Sequence, residues 1–204
     1  MQPKIYLSWK RKKTMYLKNR PLAFVDLETT GLYSGHHEII EICIIVGVRC
    51  YHVKVEPKHI ERITEEAQRI NGYTVRKWRG AINQRTVANE AANLLEGCLI
   101  VGHNPNFDYE FLEALFEQEH VPIGLDRRTI DTITLAHEHL VPWGLDSLSL
   151  DSIRAFLGWT VRPTHNALDD CKDTKRLYET LTRPHRKYWA LFRAKSLRFW
   201  GLIK

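Results

Sequence analysis

Short apolar runs and helically spaced apolar residues divide the middle of the chain into predicted strands and helices. Runs rich in Val, Ile and Leu predict strands near 22–25, 39–48, 50–55, 98–101 and 128–132. Apolar residues three or four positions apart predict helices near 62–71, 87–95, 107–119, 147–157 and 166–182. A strand meander followed by alternating helices and strands predicts an α/β fold, with a mixed central sheet flanked by helices.

The composition is typical of a single folded domain. A chain of 204 residues, 44% hydrophobic and 26% charged, can bury one α/β core and does not resemble a disordered protein. No apolar run approaches the roughly 20 residues that cross a bilayer, and the basic N-terminus lacks the apolar centre of a signal peptide. The four cysteines have no CxxC spacing, so we expect reduced thiols, no zinc site and a cytoplasmic protein without stable membrane association.

The net charge of +6 is distributed unevenly along the chain. Residues 1–21 and 183–204 each carry seven Lys or Arg residues and no acid. Of the 30 basic residues, 14 lie in these segments, which leaves 16 against all 24 acidic residues and a net charge of −8 for residues 22–182. We therefore predict a basic N-terminal arm over 1–21, an acidic body over 22–182 and a basic, aromatic C-terminal tail over 183–204.

The two basic segments also contain aromatic residues, and three interpretations remain open. Rings that stack on bases beside cations that contact phosphates are suited to single-stranded nucleic acid. The C-terminal segment also has helical spacing at positions 189, 192, 196, 199 and 203, which is typical of a helix packed on the body or on a partner. Weak attachment to an anionic membrane surface is the third interpretation.

Two carboxylates end the first predicted strand. Asp26 and Glu28 are two residues apart, so on a strand their side chains project to the same side. They repel each other unless a cation neutralises them. A bare pair of this kind is usually solvated, but here an apolar run precedes it and Thr29-Thr30-Gly31 allows a tight turn after it. The position therefore favours a ligand site.

Two further polar segments each open a predicted helix. Asp108, after His103-Asn104-Pro105, lies in the first turn of one helix, where a simple capping role is an alternative. His165 precedes the adjacent acids Asp169 and Asp170 at the start of the last helix of the body, although a lone histidine is more often structural than catalytic.

Taken together, the three segments resemble the motifs of the DEDDh exonucleases, the DnaQ-like family that includes bacterial proofreading subunits. The matching segments, within residues 21–182, are Phe24–Leu32, Val101–Asp108 and His165-x-Ala167-x-x-Asp170. The resemblance implies a ribonuclease-H-like fold over 22–182 and a metal-dependent 3′→5′ exonuclease, similar to the proofreading-type domains of bacterial DNA polymerase III.

The resemblance also implies roles for individual residues. The expected metal ligands are Asp26, Glu28, Asp108 and Asp170, and the expected general base is His165. Asp169 is then expected to face solvent, and residues 63–72 to form a helix near the bound end. The residues expected to contact the terminal sugar and base are Thr29, Leu32, Asn104 and Phe107, although Leu32 and Phe107 are equally typical of a core.

The expected chemistry is phosphodiester hydrolysis. Oxygen ligands favour Mg²⁺ or Mn²⁺, and two such ions can hold the attacking and leaving oxygens. As a hypothesis, Asp26 contacts both ions, Glu28 and Asp170 complete one site, and Asp108 acts at the other. His165 accepts the proton of the attacking water, a role that suits histidine because a free imidazole changes its protonation state near neutral pH.

The expected substrate is single-stranded DNA, which would be cut to nucleoside 5′-monophosphates in proofreading or repair, with a DNA polymerase as a candidate partner. An RNA-trimming exoribonuclease and a non-cutting end-binding module are the alternatives.

Overall fold

The computed structural model describes residues 20–161 and 165–199. The predicted N-terminal arm, apart from residues 20 and 21, and the last five residues of the predicted tail lie outside the described residues. The strands are β1 Leu22–Thr29, β2 Ile39–Val46, β3 Arg49–Glu56, β4 Ile82–Asn83, β5 Leu99–Gly102 and β6 Thr129–Asp131. The α-helices are α1 Glu65–Asn71, α2 Gln84–Leu95, α3 Pro105–Gln118, α4 Thr132–Leu140, α5 Leu150–Phe156, α6 Ala167–Leu181 and α7 Pro184–Phe199.

The strands form one six-stranded sheet in the order β4-β3-β2-β1-β5-β6. The meander β1-β2-β3 is antiparallel, whereas β5 pairs in parallel with both β1 and β6. The predicted mixed sheet and α/β class are therefore confirmed. None of the described helices is long and apolar enough to cross a membrane.

The alternation of side chains along β1 decides which helix each residue faces. Val25 and Leu27 join a core cluster that contains buried residues of α2 and α3. Phe24 points the other way, into a cluster with Ala167 and Cys171 of α6. Asp26 and Glu28 follow Phe24 by two and four residues, so their side chains point to the same face of the sheet as Phe24. This is the face that α6 covers. The last helices, α4 to α7, form a further cluster of their own.

Two elements were missed by the sequence prediction. Helix α4 begins directly after β6, where the Asp131 side chain accepts a hydrogen bond from the backbone N–H of Ile133. Its first residues, Thr132 to Leu135, include β-branched residues that are more typical of a strand, so packing against the last helices decides its conformation. Strand β4 has only two residues, too few for a periodic pattern.

The C-terminal helix α7 packs on the body through small and aliphatic residues. Leu191 and Ala194 are buried, and Leu191 joins the cluster of α4 to α6. Trp189 and Phe192 are 64% and 72% exposed. Most of the surface of these two rings is therefore in solvent, and Leu191 and Ala194 rather than the rings anchor α7 on the body.

Candidate active site

Three carboxylates meet where β1 passes the first turn of α6. Asp26 and Glu28 come from β1, which continues to Thr29 rather than ending before them, and Asp170 comes from α6. Each residue contributes one carboxylate oxygen to the cluster, and these three oxygens lie within 4.8 Å of one another. The Asn166 side chain fixes the start of α6 by accepting a hydrogen bond from the backbone N–H of Asp169.

Asp26 and Glu28 lie among other carboxylates, and the pKa of both is raised. Burial raises the pKa of Asp26 well above its ordinary value, and the charges of Asp108, Asp170 and Glu28 raise it further. Burial, together with the charges of Asp170 and Glu41, raises the pKa of Glu28 to about 8. A divalent cation among these oxygens would relieve both the burial penalty and the repulsion, and hard cations prefer such ligands.

Asp108 lies at the edge of this cluster, in the first turn of α3. It is buried, and its charge raises the pKa of Asp26, but it is not among the three residues whose oxygens meet within 4.8 Å. Burial raises the pKa of Asp108 well above its ordinary value, although hydrogen bonds from the backbone of Asp108 and Leu27 oppose this shift. A β-carbon at Gly102 would lie 2.9 Å from Pro105 Cβ and 3.3 Å from Asp108 Oδ2, so glycine lets α3 approach β5 closely.

His165 contacts the acidic cluster directly. Its Nδ1 lies 3.0 Å from Asp170 Oδ2, and its Nε2 lies 3.5 Å from Asp151 Oδ2. The imidazole is 39% exposed, so a substrate or water can reach it. Asp169, which was expected to face solvent, is instead half-buried and accepts a hydrogen bond from Asn166 Nδ2 at 3.0 Å.

Arg154 of α5 is a central residue that the sequence prediction missed. Its side chain is 1% exposed and contacts three carboxylates: Asp170 Oδ1, Asp173 Oδ2 at 2.8 Å and Asp151 Oδ1 at 2.6 Å. Burial alone lowers its pKa, but the hydrogen bonds to Asp170 and Asp173 outweigh it and the pKa is raised. The i, i+3 spacing of Asp151 and Arg154 was the only local signal, since the other two acceptors come from α6.

A cavity of about 350 Å³ opens beside Glu28 and contains three of the four residues expected to contact substrate. Leu32 is 73% exposed at its rim, which removes the core interpretation for this residue. Phe107 lines the cavity and also packs against the core, with its ring 4.8 Å from that of Phe111. The Thr29 hydroxyl donates a hydrogen bond to the Gly31 carbonyl at 2.7 Å.

Helix α1 falls within residues 63–72, where a helix was expected, and forms another wall of this cavity. Ala67 and Asn71 line it, and Asn71 Nδ2 donates a hydrogen bond to the Thr29 carbonyl at 3.2 Å. Asn104, the fourth expected contact residue, is not part of the lining. It has a left-handed backbone with φ of 72°, and its N–H donates to Asp131 Oδ1 at 3.2 Å.

Comparison with known proteins identifies the family. Residues 23–178 match the exonuclease family RNase_T. The chain belongs to the DnaQ-like 3′→5′ exonuclease family. Exonucleases of this family use divalent metal ions, and the cluster of Asp26, Glu28 and Asp170 offers ligands suited to one.

The curated relatives of this exonuclease include polymerase subunits. It is 34% identical over 168 residues to DNA polymerase III PolC-type of Thermotoga petrophila, which covers 79% of the chain and 12% of the relative. It is 27% identical over 170 residues to DNA polymerase III subunit epsilon of Treponema pallidum, covering 79% of the chain and 76% of that subunit. The chain spans only about a tenth of the length of the PolC-type relatives.

Solved structures confirm the ribonuclease-H-like exonuclease fold. The zinc-bound complex of E. coli exonuclease I with single-stranded DNA superposes with a TM-score of 0.68 at 21% identity, covering 85% of this chain and 43% of that one. The complex with a dT13 oligonucleotide gives a TM-score of 0.66 at 19% identity, covering 82% and 45%.

Proposed function

We propose that this exonuclease removes nucleotides one at a time from the 3′ end of single-stranded DNA and releases nucleoside 5′-monophosphates. The observation that carries the proposal is the meeting of Asp26, Glu28 and Asp170 beside His165. The relatives named for DNA polymerase III favour a role in proofreading or repair beside a polymerase, and the exonuclease I complexes hold single-stranded DNA. A cytoplasmic location belongs to the same proposal.

The acidic cluster is the proposed site of two Mg²⁺ or Mn²⁺ ions. Asp26, Glu28 and Asp170 would hold them, with Asp108 contributing from the start of α3. Bound divalent ions supply charge neutralisation and polarisation of the scissile phosphate. The raised pKa values of Asp26 and Glu28 support this assignment, because the site is short of positive charge without a cation.

His165 is the proposed general base. With Nδ1–H donating to Asp170 Oδ2 at 3.0 Å, Nε2 keeps its lone pair and accepts the proton of the attacking water. Asp151 Oδ2, 3.5 Å from Nε2, then stabilises the imidazolium. Water oxygen bonds to phosphorus, the bond from phosphorus to O3′ of the preceding nucleotide breaks, and that O3′ takes a proton as the new end.

The cavity beside Glu28 is the proposed site of the terminal nucleotide. Leu32 and Phe107 offer apolar surface for a base, and Asn71 of α1 adds a polar side chain to the lining. A volume of about 350 Å³ is in the range of ligand pockets.

Digestion of end-labelled oligonucleotides tests the function. Single-stranded DNA and RNA of matched sequence are incubated with Mg²⁺, Mn²⁺ or EDTA, and the products are separated by length. We expect a ladder that shortens from the 3′ end on DNA and disappears with EDTA. A ladder on RNA alone would make the protein an exoribonuclease, and no ladder on either strand would favour an end-binding module.

Replacement of the proposed base gives a second prediction. His165→Ala should lower turnover roughly 100- to 10,000-fold, because the proton acceptor is lost. The rise in melting temperature on adding Mn²⁺ should persist, since the three clustered carboxylates remain. His137→Ala, an exposed histidine on α4, is the matched control. Turnover of His165→Ala close to that of wild type would contradict the assignment.

A further inference from the structure

A second concave surface lies between α6 and α7, built from residues other than those that carry the proposed chemistry. This groove has a volume of about 470 Å³. Its basic and aromatic lining residues are Trp159, Arg176, His185, Arg186, Trp189 and Arg193. No Asp or Glu lines the groove among the described residues, although residues 22–182 as a whole are acidic.

The three arginines in the groove differ in whether a carboxylate forms an ion pair with them. Arg186 donates to Glu179 at 3.0 Å, so its charge is offset. In the described part of the chain, no carboxylate lies within 4 Å of Arg176 or Arg193. Burial lowers the pKa of Arg176, and the positive charge of Arg193 lowers it further, against the opposing effect of Asp173. An anion in the groove would therefore be stabilised by both guanidinium groups.

The same two arginines lie beside indole rings. The guanidinium of Arg176 lies 4.0 Å from the ring centre of Trp159, and that of Arg193 lies 5.8 Å from the ring of Trp189. Trp189 is 64% exposed, because α7 buries Leu191 and Ala194 instead. Exposed rings that can stack on bases, next to cations that can contact phosphates, are the features of a surface for single-stranded nucleic acid.

The groove is near the acidic cluster along α6. Arg176 follows Asp170 by six residues, about 9 Å along the helix axis, and Thr180 at the far end follows by about 15 Å. Asp173, which binds Arg154, lies between them and acts on Arg176. Six residues also turn Arg176 about 120° around the helix axis from Asp170. A strand whose 3′ end lies at Asp170 therefore has to pass around α6 to reach the groove with its upstream nucleotides.

We propose that the groove between α6 and α7 binds a single-stranded segment of the substrate, a few nucleotides upstream of the 3′ end. The proposal rests on the function proposed above and adds a second binding site to it. Arg176 and Arg193 contact phosphates, and Trp189 stacks on a base. The groove thus favours long substrates over dinucleotides.

The test compares substrates of two lengths. A dinucleotide is too short to occupy both sites, whereas a twelve-residue oligonucleotide can occupy both. The double variant Arg176→Gln/Arg193→Gln should raise KM for the twelve-residue substrate about tenfold and leave kcat/KM for the dinucleotide unchanged. The dependence of log KM on log salt should become shallower by about 1.4, the value expected for two lost phosphate contacts on a single strand.

Three further variants separate binding from folding and from general charge. Trp189→Ala, at an exposed ring, should also raise KM for the long substrate about tenfold, and Trp189→Phe should restore most of the affinity. Arg49→Gln/Arg127→Gln removes the same charge from exposed positions elsewhere and should leave KM within about twofold of wild type.

The outcomes distinguish this inference from the proposed function. If wild type cleaves both substrates and the groove variants keep the wild-type KM for the long one, the groove does not bind substrate. The proposed exonuclease function would stand. Wild type that cleaves neither substrate would overturn the proposed function itself. Equal losses of the double variant and the control double variant would show general charge attraction rather than a binding groove.

Discussion

Asp26→Asn is expected to abolish exonuclease activity and, at the same time, to stabilise the metal-free protein. Asp26 is central to the acidic cluster, since Asp108, Asp170 and Glu28 all act on its pKa. Loss of one electrostatic contact to a transition state typically lowers turnover about 100- to 1,000-fold. Because Asp26 is proposed to contact both ions, its loss should lower turnover by about 1,000-fold or more. It also removes the free-energy cost of holding this carboxyl group protonated, or charged beside three other acids, in the metal-free fold. Each kcal/mol gained should raise the melting temperature by about 2–4 °C.

The pH dependence of stability provides the measurement. An unfolded carboxyl group loses its proton near pH 4, whereas Glu28 holds its proton to about pH 8 in the fold and the pKa of Asp26 is also raised. Folding therefore takes up protons between these values. The metal-free protein should lose stability as the pH rises from about 4 to about 8, with the full loss above that range.

Melting curves at several pH values, with EDTA or Mn²⁺, test this. The stability of Asp26→Asn should depend less on pH and respond less to Mn²⁺ than that of wild type. Glu117→Gln, at an exposed position on α3, is the control for removal of one negative charge. A metal-free Asp26→Asn protein that melts below wild type at pH 8 would contradict the proposed repulsion.

Arg154→Met is the second large expected effect, in the opposite direction. The substitution keeps much of the apolar side chain but leaves Asp151, Asp170 and Asp173 without their shared cation. Removal of one partner from a buried ion network typically lowers the free energy of unfolding by about 3–5 kcal/mol. Activity should also fall, because Asp170 loses a contact that fixes one of its oxygens, and α5, which carries Asp151, loses its ion pairs to α6.

Urea unfolding at pH 7 measures the effect. Arg127→Met is the control, since Arg127 is 82% exposed and lies 3.7 Å from Glu113. Arg154→Lys should recover part of the stability, because an ammonium keeps the charge without the planar fork that meets three acceptors. A free energy of unfolding for Arg154→Met within about 1 kcal/mol of wild type would show that the network contributes little.

The sequence by itself determined the fold class and the elements that carry the site. Strand alternation is a local property, so the two-residue spacing of Asp26 and Glu28 already placed both side chains on one face. The helix that begins after His165 and carries Asp170 was likewise visible from its apolar spacing. Both predictions depend only on residues that are close along the chain. The expectation that β1 and this helix meet in space came from the order of the three motifs that resemble the DEDDh exonucleases.

The tertiary structure decided which side chains face one another across elements. Arg154 would ordinarily be assigned to the surface, because arginine is seldom buried unless it is paired, and two of its three partners lie 16 and 19 residues further along the chain. In α7, helical spacing was present, but packing selected Leu191 and Ala194 for burial and left Trp189 in solvent. Periodicity determines which residues share a face of a helix or strand. Which of these faces is buried depends on the elements that the rest of the chain packs against it.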